Sequence, residues 1–227
     1  ITALSDVEND SAVRAVVLTG AGSAFCAGGD VYKDIAPLAD KSPSEYMEYV
    51  NRGGLMYNML WNMEKPVIAA INGPAVGAGL DLAMSCDIRI ASENAKLGEF
   101  FVNFGLVPES GVYLLPRLAG LGRAKLLAFT GDIITAQEAE QMGLVDKVVP
   151  PDKFMSFVEE LARKLANGPT KTIGLTKKAF NESLKLDFGF SLDYAFRLQY
   201  QTVHTEDHQE AVRAWMENRR PPVFKGK

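Results

Sequence analysis

The chain has 227 residues, 47% of them apolar, and a formal net charge of −4, which is enough apolar material for a substantial core. Lysine and arginine are spread along the sequence, so the charge pattern gives no nucleic-acid surface, and no apolar run approaches the ~20 residues of a membrane-spanning helix. "ITALSDVEND" lacks the basic start and apolar block of a signal peptide, and Cys26 and Cys86 are far apart without a CxxC partner, so a cytoplasmic protein without disulfide or metal is expected.

The chain opens on Ile1 rather than Met and its first strand comes only at Arg14, so an N-terminal piece is expected to be missing from these numbered residues. Three β-branched runs, 14–20, 66–73 and 86–92, end in turn residues and predict buried or half-buried strands. Between the first two, residues 44–63 carry Tyr46, Tyr49, Val50, Leu55, Met59 and Leu60 near helical spacing, with Ser44 as the expected cap and Gly53-Gly54 as a point for a kink. Strand, helix, strand predicts an α/β sheet with crossovers. After "VPESG" the pattern turns helical through "GVYLLPRLAG", "GRAKLLAFTG" and "ITAQEAEQMG", the last with Thr135 and Glu138 at capping-box spacing. "LVDKVV" reads as a short strand, and helices are expected over 151–167, 169–185, about 189–203 and 206–218. No Gly-, Ser- or Pro-rich linker interrupts the chain, so a core over 1–168 with a helical extension over 169–227 is expected.

One local device occurs twice. "AVVLTGAGSAFCAGGD" and "VIAAINGPAVGAGLD" each run from an apolar strand through a glycine turn and small residues to an aspartate. Small residues at a strand-to-helix turn allow close approach to the backbone, and free N–H groups at a helix start favour negative charge. That charge could be a phosphate or the oxyanion of a carbonyl substrate. "GAGSAF" has Phe25 where a dinucleotide fingerprint needs its third glycine, and no GKS or GKT follows, so the phosphate reading is the weaker. An oxyanion site needs two backbone donors and a nearby carboxylate.

"FCAGGD", "INGPAVGAGLDLAMSCDIRIAS" and "FGLVPESGVYLLPRLAG" together resemble the crotonase superfamily, the enoyl-CoA hydratases and isomerases, from about Ala15 to the "RRPPVFKGK" tail. The resemblance implies a spiral of ββα turns with a helical C-terminal extension, its N-terminal hairpin absent from these residues, assembled as a homotrimer or homohexamer. It implies an acyl-CoA thioester substrate and no separate cofactor, with the thioester oxygen between the backbone N–H groups of Gly29 and Ala78. Coenzyme A is expected along Ala27 and Gly29, and the acyl group against Phe101 and Phe104. Lys33, Lys177, Lys178 and Lys225 are candidate phosphate partners that the pattern does not separate.

Family hydratases carry two glutamates. The first position falls on Asp81, but the second is Phe101, which holds neither water nor a proton. Glu109 matches a loop acid of the family's isomerases, so Asp81 and Glu109 together imply a double-bond isomerase, with hydration by the same pair as the alternative. Asp30 after "AGG" is expected to cap a turn, Asp87 to fix a turn, and Glu99, two residues short of the family's second acid, to be a solvated loop residue unless a shifted register brings it in. His204 and His208, four apart on an expected helix, lack a third metal ligand. Ser110 lacks a GxSxG setting and a nearby histidine. A silent acyl-CoA-binding protein and, more weakly, an NAD-dependent oxidoreductase are the rival classes.

Overall fold

The structure, a computed structural model, describes residues 1–227. In chain order its elements are α1 (Thr2–Asn9), β1 (Val16–Thr19), α2 (Pro43–Asn62), β2 (Val67–Ile71), β3 (Ala75–Val76), α3 (Ala78–Met84), β4 (Ile88–Ser92), β5 (Lys96–Gly98), α4 (Gly111–Ala119), α5 (Leu121–Thr130), β6 (Ile134–Thr135), α6 (Ala136–Met142), β7 (Lys147–Val149), α7 (Phe154–Ala166), α8 (Thr170–Ser183), α9 (Phe188–Thr202) and α10 (Glu206–Met216). The class is mixed α/β, as the strand and helix periods predict.

Contacts divide the chain into two compact units. One takes in Val17–Leu60 and Ile68–Val158. Its main sheet has the order β1-β2-β4-β7, with β2, β4 and β7 parallel: Ile68 lies opposite Ile88, and Ile90 opposite Lys147. Every residue of β2 from Val67 to Ile71 is 0% exposed, which is why this strand reads as an unbroken apolar run rather than an alternation. A second sheet, β3-β5-β6, pairs Ala75 with Leu97 in parallel and Lys96 with Thr135 antiparallel. Its strands of two or three residues are too short to leave a period in the sequence. Thr135 caps α6 with Glu138 reciprocating, as its spacing predicts. The cap of α2 differs from expectation: Ser42, not Ser44, exchanges hydrogen bonds with Glu45, and the helix runs unbroken through Gly53 and Gly54.

The other unit joins three stretches distant in sequence, Thr2–Val16, Trp61–Val67 and Glu159–Lys227, a grouping that no single cut in the chain produces. Arg14 holds it together, donating from Nε to Thr170 Oγ1 at 2.9 Å, from Nη1 to the Phe224 carbonyl at 3.0 Å and from Nη2 to the Gly168 carbonyl at 2.5 Å. Lys65 Nζ donates to the carbonyls of Val7 and Asp10, closing the end of α1. The tail is tied down by Asp207, 2% exposed, whose carboxylate accepts from the N–H groups of Lys225 and Gly226. No helix is long and apolar enough to cross a membrane.

Candidate active site

The two glycine-rich segments lie side by side. Phe25 and Cys26 both donate their N–H to the Pro74 carbonyl at 3.0 Å, and Val76 donates to the Cys26 carbonyl at 3.0 Å. Closeness here requires small residues: a Cβ on Gly79 would stand 2.0 Å from the Cys26 carbonyl oxygen. Gly77, with φ 54° and ψ −124°, turns the chain from β3 into α3 through a conformation that side chains resist. Part of the glycine pattern therefore serves backbone packing against backbone, beyond the close approach of a ligand.

This packing leaves two amides without acceptors. The N–H groups of Gly29 and Ala78 donate to nothing in the chain, and both residues border a cavity of about 590 Å³. The neighbouring amide is used internally, Asp30 N–H donating to Asp34 Oδ2 at 2.8 Å. Asp30 itself caps the turn at Val31–Ile35, its Oδ1 accepting from Tyr32 and Lys33 N–H, which is the capping role its position predicts. Ala27 also borders the cavity, and Phe100, Phe101 and Phe104 supply an apolar wall from the turn at Phe100–Phe104.

Glu109 is the one carboxylate on the cavity's border. The Tyr57 hydroxyl donates to its Oε2 at 2.7 Å, and a Cβ placed on Gly53, one helical turn before Tyr57, would stand 3.8 Å from the same oxygen. Burial pushes the Tyr57 hydroxyl upward, and its bond to Glu109 pushes it further, so it remains a donor at neutral pH. Tyr57 shares one helical face with Tyr46, Val50 and Leu60, so the 3.6-residue period of α2 was the available signal for it; Leu55, 50% exposed, lies on the opposite face.

Asp81 occupies a different environment from the one its motif implies. It is 0% exposed and lies outside the cavity's border, behind Glu109. Its Oδ2 accepts the Glu109 N–H at 3.1 Å, and the Ser85 hydroxyl donates to its backbone carbonyl at 2.8 Å. The two acids are thus brought together, but only Glu109 borders the cavity. Of the two carboxylates expected to face a substrate, Glu109 stands on the cavity's border and Asp81 off it.

Glu99 is a second correction. Rather than being solvated, it is 0% exposed beside Asp81. Desolvation raises Glu99 to about 9, with the charge of Asp81 adding to it. Desolvation also raises Asp81 to about 6, opposed by N–H groups of Gly111 and Glu109. The apolar residues on both sides of Glu99 in "KLGEFF" were the available signal for its burial.

His204 and His208 do not share a helix. His204 follows α9, with Nδ1 2.7 Å from the Tyr200 carbonyl, while His208 lies in the first turn of α10. Lys225 Nζ is engaged by Glu206 at 3.1 Å.

The family model described as enoyl-CoA hydratase/isomerase matches residues 1–227. The chain is 39% identical over 226 residues to a short-chain-enoyl-CoA hydratase of Clostridium acetobutylicum, covering 99% of this chain and 85% of that protein. It is 36% identical to a 1,2-epoxyphenylacetyl-CoA isomerase of Escherichia coli, covering 99% and 86% respectively. The crystal structure of an enoyl-CoA hydratase from Bacillus anthracis superimposes with a TM-score of 0.91 at 36% identity, covering 100% of this chain and 86% of that one.

Proposed function

The chain belongs to the enoyl-CoA hydratase/isomerase family, and on that premise we propose that it shifts the double bond of an unsaturated acyl-CoA through a thioester enolate, with Glu109 carrying the proton. The observation behind this reading is the pairing of two acceptor-free amides, Gly29 and Ala78, with a single carboxylate on one cavity border. The thioester oxygen accepts from both amides, and negative charge moves onto it as a proton leaves carbon 2. Glu109 takes that proton from a 3-enoyl thioester and returns it to carbon 4, leaving a 2-enoyl product. One base serves both steps, so a sealed Asp81 is no obstacle. It acts instead by holding the Glu109 N–H. Tyr57 fixes the Glu109 carboxylate by donating to one oxygen.

Coenzyme A runs past Ala27 and Gly29, and the acyl group meets Phe101 and Phe104. Coenzyme A enters as part of the substrate, and the reading requires no resident cofactor. The thiol of Cys86 reaches the Leu82 carbonyl rather than a second sulfur, which fits a cytoplasmic setting. Exposed aromatics along α9, among them Phe188 and Phe196, support self-association as a homotrimer or homohexamer, which sedimentation would measure.

Hydration is the second reading, favoured by the names of relatives such as the Clostridium acetobutylicum enzyme. It requires Glu109 to activate water without a second cavity-facing acid. Offering 2-enoyl-, 3-enoyl- and dienoyl-CoAs in heavy water separates these readings. Isomerised product with deuterium at carbon 2 or 4 is expected. A water adduct as the main product replaces the first reading with the second. Tight binding with neither turnover nor exchange leaves a silent acyl-CoA-binding protein.

A further inference from the structure

We infer that Asp81 and Glu99 share one proton in a sealed carboxyl pair, and that this pair is the positioning device for Glu109. The effect on turnover rests on the function proposed above; the shared proton does not. Both side chains are 0% exposed, and neither takes part in an ion pair. Asp81 Oδ1 and both oxygens of Glu99 are buried without a well-formed hydrogen bond, the Gly111 N–H being the backbone donor nearby. A Cβ built on Gly111 would stand 2.6 Å from Asp81 Oδ1 and 2.2 Å from Glu99 Oε1, so these two oxygens flank one small space.

Two ionised carboxylates in that space would each be an acceptor facing an acceptor, with the Glu109 charge on the same side and no compensating cation. One proton converts Glu99 into a donor to Asp81 Oδ1 and leaves a single negative charge. That charge is directed through Asp81 Oδ2 to the Glu109 N–H at 3.1 Å. The loop is thereby held where the Glu109 carboxylate meets Tyr57 and the cavity. Other groups facing the pair are the neutral hydroxyls of Ser85 and Ser110, the latter donating to the Asp81 carbonyl at 3.3 Å, and the Tyr57 phenol beyond Glu109.

The unfolded chain ionises both acids at an ordinary carboxylate pKa of about 4, whereas the folded chain retains a proton. The folded state therefore binds more protons at neutral pH, and stability falls as pH rises, until the retained proton leaves near about 9. The full-length protein is melted at a series of pH values beside Glu99→Gln, whose amide donates but does not titrate. The expected result is a melting temperature that declines between neutrality and about pH 9 in the native protein and a shallower decline in the variant. Equal slopes overturn the shared proton.

Infrared spectra of the native protein at neutral pH provide a reading that needs no variant. A protonated-carboxyl C=O band is expected, disappearing in strong alkali, and its absence overturns the pair. For positioning, Glu99→Leu removes the donor that Glu99→Gln retains, so kcat is expected to be about tenfold lower in the leucine variant, the size of one hydrogen bond to a charged group. Equal kcat values overturn the positioning role. Failure of the native enzyme to turn over any acyl-CoA, with the infrared band present, removes the proposed function and leaves the pair standing.

Discussion

Glu99 and Glu109 lie on the same connection between β5 and α4, yet the fold uses them in opposite ways. Glu109 is exposed to the cavity, with the Tyr57 hydroxyl 2.7 Å from one oxygen. Glu99 has no exposure and faces Asp81. An acid that moves a substrate proton must reach the substrate and exchange with its surroundings. An acid sealed beside a second carboxyl keeps its proton and can only hold something in place. The motif's first acid, Asp81, falls on the sealed side of that division, so position in a motif does not by itself decide which carboxylate borders the cavity.

Substitutions on the two sides sharpen the contrast. Glu109→Gln removes the proposed proton carrier, and kcat should fall about a hundred- to ten-thousandfold with acyl-CoA affinity nearly unchanged, as steady-state kinetics and a binding titration would show. Ala78→Pro deletes one of the two free amides at the first position of α3, where proline is tolerated. It should lower kcat about a hundred- to a thousandfold with little change in melting temperature. Gly111→Ala places a methyl between Asp81 and Glu99, within 2.2 Å of one oxygen, and should cost about 1–3 kcal/mol in denaturant unfolding. Gly53→Ala on the Glu109 side meets only an ordinary contact at 3.8 Å. In a helix interior it should stabilise by about 0.5–1 kcal/mol. A Gly111→Ala variant as stable as Gly53→Ala would remove the difference between the two environments.

Much of the frame was legible because its signals are local. The apolar run of β2, the helices from Phe154 onward and the Thr135 capping box each follow from neighbours in sequence. So does Asp30, whose carboxylate reaches only two and three residues ahead. The small sheet was not legible, since β3 and β6 have two residues each and pair with segments far along the chain. Helix α1, which buries no residue, leaves no apolar stripe to read. The meeting of Tyr57 with Glu109 and of Glu99 with Asp81 depends on how α2, α3 and the loop before α4 come together. No spacing encodes that. Lining up Asp81 with a motif located the neighbourhood of the cavity but not the enclosure of its side chain.

A crystal structure with an unhydrolysable acyl-CoA bound tests the central claim most directly. The thioester oxygen should lie about 2.7–3.1 Å from the N–H donors of Gly29 and Ala78, with the Glu109 carboxylate over carbons 2 and 4 and Asp81 still enclosed. An acyl group that contacts Asp81 while Glu109 points away would contradict it.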